Sequence, residues 1–359
     1  MPGSLSGAPA PGVNHPRCLV TGGAGFLGIN LVRLLLRRGW AVRVLDIVPF
    51  EYPEVDRVNV VLGDIRDEQL VDHAMNGVDV VVHCAAALPL ADEAEIRSTG
   101  IKGTRVTLEA ARRHGVNRFV FVSSTAVYGL PKDHPIVESE ALVGVGPYGE
   151  AKIGAERACE AARARGLCVT ILRPKSFIGP ERLGVFELLY DWAADGHGFP
   201  VLGDGANMYQ LLDVDDLCEV ILLSMVVAPA IANDTFNVGA ERFCTMRQNV
   251  QSVLDRAGHG KRATDIPAGL AVALLRLLGA LKLSPLYPWI YESAGHNSVV
   301  SIERLKARTG FAPRYSNVDA LLRNYDWYLA HRPEYRGRQG VTHRVPWKRG
   351  ALRLAKAFF

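Results

Sequence analysis

The stretch from Arg17 to Asp46 constrains the fold more than any other part of the chain. Cys18-Leu-Val-Thr-Gly-Gly-Ala-Gly-Phe-Leu-Gly28 leads into Ile29-Asn-Leu-Val-Arg-Leu-Leu-Leu-Arg-Arg-Gly39 and then Ala41-Val-Arg-Val-Leu-Asp46. The pattern predicts a short apolar strand, a glycine turn, an amphipathic helix and a second strand ending in a carboxylate. That order is the βαβ unit that binds a dinucleotide. Gly22 and Gly25 carry no Cβ, so the backbone can turn tightly and approach a pyrophosphate, while Gly28 lets the helix pack close to the sheet. Phe26 and Leu27 open the helix, whose free N–H groups and partial positive charge suit phosphates. Asp46 follows Gly28 by 18 residues. A carboxylate there accepts hydrogen bonds from the adenosine ribose and repels a 2′-phosphate, so NAD(H) is expected rather than NADP(H).

Strand-like and helical runs then alternate. Apolar runs over 58–62, 78–83, 119–122 and 168–172 end at Gly63-Asp64, Cys84-Ala-Ala-Ala87, Ser123-Ser-Thr-Ala126 and Arg173-Pro174. Helical periodicity lies between them, as over 103–114 and 148–165. The chain therefore predicts an α/β fold, a doubly wound parallel (Rossmann) sheet with ligands at the carboxyl ends of its strands, and a smaller C-terminal substrate lobe. The expected division is a disordered leader over 1–14, an NAD-binding domain over 15–175 with segments near 211–239 returning to its sheet, a substrate lobe over 176–210 and 240–330, and a basic amphipathic tail over 331–359.

Composition narrows the class. With 48% hydrophobic and 22% charged residues the chain matches an ordinary globular protein, and a net charge of +4 calls for no nucleic-acid partner. The six cysteines show no CxxC or Cys/His ligand spacing, which argues against metal and a disulfide framework and fits a reducing, cytoplasmic setting.

Pro147-Tyr148-Gly149-Glu150-Ala151-Lys152 holds Tyr-x-x-x-Lys on a predicted helix. The spacing puts both side chains on one face. A phenol near an ammonium can give or take a proton closer to neutral pH than its free value of ~10. By itself the pair also suits a solvated helix face, but it follows a serine-rich strand end and lies about 120 residues after the glycine turn.

With these motifs the chain, over roughly 17–330, resembles the extended short-chain dehydrogenase/reductase family, which includes sugar-nucleotide epimerases, dehydratases and hydroxysteroid dehydrogenases. The resemblance implies a triad of Ser124, four positions before Tyr128-Gly129, with Tyr148 and Lys152. Ser124 would hold the substrate oxygen, Tyr148 would exchange its proton, and Lys152 would tune Tyr148 and bind the nicotinamide ribose. A turn-capping serine is the alternative for Ser124. By the same resemblance Asp64 and Ile65 meet the adenine, Ala85 and Ala86 lie under the cofactor diphosphate, and Pro174 begins the loop flanking the nicotinamide. Homodimers are common in the family.

The chain also departs from the sugar-nucleotide pattern. Tyr209 stands where an arginine usually clamps the substrate diphosphate, and no Arg or Lys occurs over 183–241 or 283–303. Gly100, at the predicted helix start 100–104, replaces a frequent Asn. Lys175 is an unusual charge for its loop and faces either substrate or solvent. The segment 268–283 is apolar apart from Arg276 and Lys282, yet shorter than the ~20 residues that span a bilayer. In the tail, Trp347, Ala351, Leu354 and Phe358 share one helical face and Arg349, Arg353 and Lys356 the other. That pattern suits an anionic membrane surface or a helix docked on the protein itself. These features together predict an NAD-dependent oxidoreductase acting on a secondary alcohol or ketone of an apolar, sterol-like or acyl-chain substrate, peripheral on a membrane. A sugar-nucleotide epimerase or dehydratase is the first alternative, and a noncatalytic NAD-binding scaffold the second.

Overall fold

A computed structural model describes residues 16–89, 91–280 and 295–335, together with Lys356 and Phe359. The expected leader over 1–14 and most of the expected tail lie outside the described residues.

Six strands in chain order, β1 (Arg17–Thr21), β2 (Ala41–Asp46), β3 (Asn59–Leu62), β4 (Val80–His83), β5 (Arg118–Val122) and β6 (Val169–Pro174), join Thr235–Val238 in a seven-stranded sheet. Its order is Thr235–Val238, β6, β5, β4, β1, β2, β3, and every pairing is parallel. The chain steps outward from β1 to β3 and then crosses back to β4, which opens a crevice at the carboxyl ends of β1 and β4. Successive side chains of a strand point to opposite faces. Val20 and Val44 accordingly pack with the helices Phe26–Arg37 (α1) and Val214–Val226, while Leu19, Leu45 and Phe119 pack with the helices Glu68–Met75 and Thr104–Arg113 on the other face.

The smaller lobe is built from two-stranded pairings. Phe177–Ile178 runs beside Leu212–Asp213, Met208–Tyr209 beside Cys244–Thr245, and Phe199–Leu202 beside Ala263–Ile266. Its core gathers Ile178, Leu183, Val201, Val253 and the rings of Tyr190, Tyr325 and Tyr328.

One expectation changes here, and two open points gain structural detail. Residues 100–104 do not start a helix. Helical backbone begins at Glu93 and passes through a π-helical turn, Ser98–Gly103, before Thr104–Arg113. Gly100 and Gly103 sit in that turn because Ala151 and Ile65 press against them. The apolar segment forms a helix over Ala268–Ala280 with Leu270, Leu274 and Leu277 exposed, and among the described residues no helix is long and apolar enough to cross a membrane. Of the two alternatives for the tail, Lys356 fits the docked one: it meets Asp191 and Asp195 at 2.6 Å each, and Phe359 stacks on Trp192. Both residues dock on the lobe because two carboxylates and an indole await them there.

Candidate active site

The cofactor cradle follows from the first crevice. Gly22 has φ +70°, and a Cβ there would lie 2.8 Å from the Ala85 backbone; a Cβ on Gly28 would overlap the Gly22 carbonyl oxygen. Both positions thus require glycine, and Ala85 is held by its own N–H to Thr21 Oγ1 at 3.3 Å, beside exposed Ala86. Gly25 caps α1 without a side chain in the way. Leu27 is in the core, leaving only its backbone to the cofactor side, and Phe26 stacks on Phe177 with centroids 5.8 Å apart. At the end of β2, Asp46 Oδ2 accepts the Ala24 N–H at 2.9 Å, tying the carboxylate to the glycine turn. Asp64 is bound by Arg66, whose hydrogen bonds hold its carboxyl below the ordinary range, and Arg66 continues to Glu95 at 2.7 Å. That guanidinium is engaged by two carboxylates rather than open to a 2′-phosphate. Ile65 is buried against Gly103. This cradle, an open helix N-terminus and a strand-end carboxylate fit NAD.

The second group lies at the ends of β5 and β6. Ser124 caps the turn Thr125–Tyr128 by accepting the Ala126 N–H at 3.2 Å, and its side chain lies near enough to Tyr148 to favour the phenolate. The turn-capping role is seen directly, and it leaves Ser124 at the strand end beside Tyr148. Tyr148 and Lys152 are carried by the helix Gly146–Ala164, started by Pro147 in its first turn. Lys152 Nζ is 5.9 Å from the Tyr148 ring centre and donates to Val122 O at 2.8 Å. Burial lowers the ammonium to about 8. The expectation that Lys152 lowers the tyrosine fails in this arrangement: burial raises the Tyr148 phenol, opposed by the Ser124 side chain and the charge of Arg182. The ammonium is turned to the Val122 carbonyl, and Arg182 is the cation acting on the phenol.

Beneath these side chains is a buried network that the sequence did not single out. Arg173 donates to Glu156 at 2.6 and 3.0 Å and to Tyr128 Oη at 2.8 Å. Ser123 donates to Glu156 at 2.5 Å, and Tyr128 to Asn237 Oδ1 at 2.7 Å. It joins the strand ends carrying Ser124 and Pro174 to the helix carrying Tyr148. The only signal was charge and amide in runs otherwise apolar, which periodicity treats as noise.

Pro174 pairs with Val238, and the next residue, Lys175, is 5% exposed. Its Nζ donates to Ser298 Oγ at 2.5 Å and lies 5.6 Å from the Tyr209 ring centre. Burial alone lowers it to about 7. Lys175 thus points inward, not to solvent.

Residues 18–239 match the family described as the NAD dependent epimerase/dehydratase family. An uncharacterised protein of Sinorhizobium fredii, y4nG, is 37% identical over 94% of this chain and 84% of its own. A dTDP-glucose 4,6-dehydratase of Streptomyces niveus is 31% identical over 88% of this chain and 94% of its own, and a mouse (Mus musculus) decarboxylating sterol-4-alpha-carboxylate 3-dehydrogenase 27% identical over 86% and 89%. The crystal structure of UDP-glucose 4-epimerase with UDP-glucose from Thermotoga maritima superposes with a TM-score of 0.73 at 25% identity, over 88% of this chain and 99% of that one.

Proposed function

The chain belongs to the NAD dependent epimerase/dehydratase family of enzymes, and we propose that it performs its redox chemistry at a secondary alcohol of a nucleotide-linked sugar. The observation that carries this reading is the placement of Ser124 at a strand end beside Tyr148, with Lys152 one helical turn on and a dinucleotide cradle next to them. The kinship with a dTDP-glucose 4,6-dehydratase and a UDP-glucose 4-epimerase supports the sugar-nucleotide substrate over the sterol-like or acyl-chain one. The sterol reading stays second, favoured by the stretches 183–241 and 283–303 that lack Arg and Lys.

When bound, NAD supplies the hydride acceptor for oxidation and the donor for reduction. Gly22, Gly25 and Gly28, with the backbone of Phe26 and Leu27, would hold its diphosphate over Ala85 and Ala86. Asp46 would take the adenosine ribose, Asp64 and Ile65 the adenine side, and Pro174 the nicotinamide side. Tyr148 accepts the substrate hydroxyl proton during oxidation and returns it during reduction, and Ser124 donates a hydrogen bond to the same oxygen. Arg182 stabilises the phenolate that opens the cycle, and Lys152 would hold the nicotinamide ribose. Eliminating water beside the new ketone requires a further acid and base. Thr125 and Ala126, which follow Ser124 in the turn, offer no carboxylate, so oxidoreduction or epimerisation ranks ahead of dehydration.

The test is product analysis after incubation with NAD⁺ and, in turn, UDP-glucose, UDP-glucuronic acid, dTDP-glucose and a 3β-hydroxysterol. Conversion of a nucleotide sugar is expected. Conversion of the sterol alone would sink the reading.

A further inference from the structure

The chemistry above leaves Lys175 without a role, although its position is tightly built. Its backbone N–H donates to Val238 O at 2.8 Å, fixing the root of the side chain at the carboxyl end of the sheet, where ligands of such folds lie. Its amine meets one hydroxyl and a ring, Ser298 Oγ at 2.5 Å and the face of Tyr209, and Ser176 lies near the Tyr209 phenol. Among the described residues no carboxylate forms an ion pair with it. Burying a cation without an anion is costly, and a nearby ring offsets only part of that cost. Ser176 is exposed and Tyr209 and Ser298 half-buried, so the amine sits one layer beneath an accessible rim of hydroxyl groups. Tyr209 and Ser298 both come from long stretches that hold no Arg or Lys. A negative charge brought against those walls has to be met from another segment, and Lys175 is where that charge is placed.

We propose that Lys175 anchors an acidic group of the substrate, a carboxylate or a phosphate oxygen, with Ser176, Tyr209 and Ser298 supplying the accompanying hydroxyls. The proposal rests on the reading that a nucleotide-linked sugar binds at these strand ends, and it adds which end of that molecule meets a cation. The acidic group has two sources, a carboxylate on the sugar or the diphosphate of the nucleotide.

Calorimetric titration of the NAD-loaded full chain with UDP-glucose, UDP-glucuronic acid, glucuronic acid and inorganic pyrophosphate separates them when repeated on Lys175→Met and Lys175→Arg. Lys175→Met should weaken at least one acidic probe about tenfold or more, the scale of one charge-assisted hydrogen bond. Lys175→Arg should recover much of the loss, while NAD affinity stays in place and neither variant unfolds at the titration temperature. Selective loss of UDP-glucuronic acid assigns the carboxylate; joint loss of both nucleotide sugars and pyrophosphate assigns the diphosphate. If wild type ignores both nucleotide sugars but binds glucuronic acid or pyrophosphate through Lys175, the anchor stands and the nucleotide-sugar reading falls. Absence of any Lys175-dependent binding overturns the anchor, whichever substrate the enzyme turns over.

Discussion

The floor under Tyr148 and the wall around Lys175 both bury a cation from the end of β6, two residues apart, and treat it in opposite ways. Arg173 is enclosed by Glu156, Tyr128 and the carbonyl of Glu138, so its charge is neutralised and its donors are used. Lys175 has one serine hydroxyl and the face of a tyrosine. A buried ion pair that is fully hydrogen-bonded fixes geometry, whereas a buried cation that faces only hydroxyls is left with affinity for an anion. Lys152 resembles Lys175 in this respect, since its hydrogen bond goes to a backbone carbonyl. Among these three cations, the one that joins strands to helix is paired with a carboxylate, and the two beside Tyr148 and Tyr209 are not.

The comparison breaks first at Arg173. Arg173→Met should destabilise the fold by about 3–5 kcal/mol in urea unfolding, because Glu156 is left charged and buried. A loss below about 1 kcal/mol would mean that the network does not hold the floor.

Next in size, Tyr148→Phe should lower turnover by about 10²-fold or more, the scale of a positioned acid–base group, with NAD binding and thermal stability kept. Near-normal turnover would remove Tyr148 from the chemistry.

A smaller effect is expected in the cradle. The kcat/KM ratio should favour NAD over NADP, and Asp46→Asn, which keeps an acceptor for Ala24, should narrow that ratio about tenfold, as removal of one like-charge contact near a surface would. A wild-type preference for NADP would show that Asp46 does not select the cofactor.

The smallest effect sharpens the contrast directly. Lys175 is held down to about 7 by burial, against an ordinary value of 10.5. The unfolded chain therefore keeps a proton that the folded chain releases, and stability rises with pH between these values. Lys175→Met should flatten that rise by roughly 1 kcal/mol per pH unit or less. An Arg173 variant should leave this part of the profile unchanged. Equal pH profiles for wild type and Lys175→Met would show the amine to be solvated.

Much of the cofactor cradle and of the group around Tyr148 was legible from local rules. A glycine turn between two apolar strands dictates its own geometry, so Gly22, Gly28 and Asp46 come together without help from distant residues. Tyr148 and Lys152 share a helix, and Ser124 lies at the end of a strand that alternation reveals. What stayed hidden depends on partners far along the chain. Arg173 reaches Glu156 and Asn237 through Tyr128, and Lys175 reaches Ser298 across 123 positions. No periodicity encodes such pairs. The sense of the tyrosine shift was misread for a related reason: spacing places Lys152 one turn away, but only packing turns its ammonium to Val122 and brings Arg182 near the phenol. Lys356 and Phe359 show the same limit, since a helical wheel carries no record of Asp191 and Trp192.

The most direct test of the account follows NADH absorbance after rapid mixing of the NAD⁺-loaded enzyme with excess nucleotide sugar. Wild type should show NADH formed within the turnover time, and Tyr148→Phe should bind the sugar yet form NADH about 10²-fold more slowly. NADH appearing at the same rate in both proteins would contradict the assignment of Tyr148 as the group that takes the substrate proton.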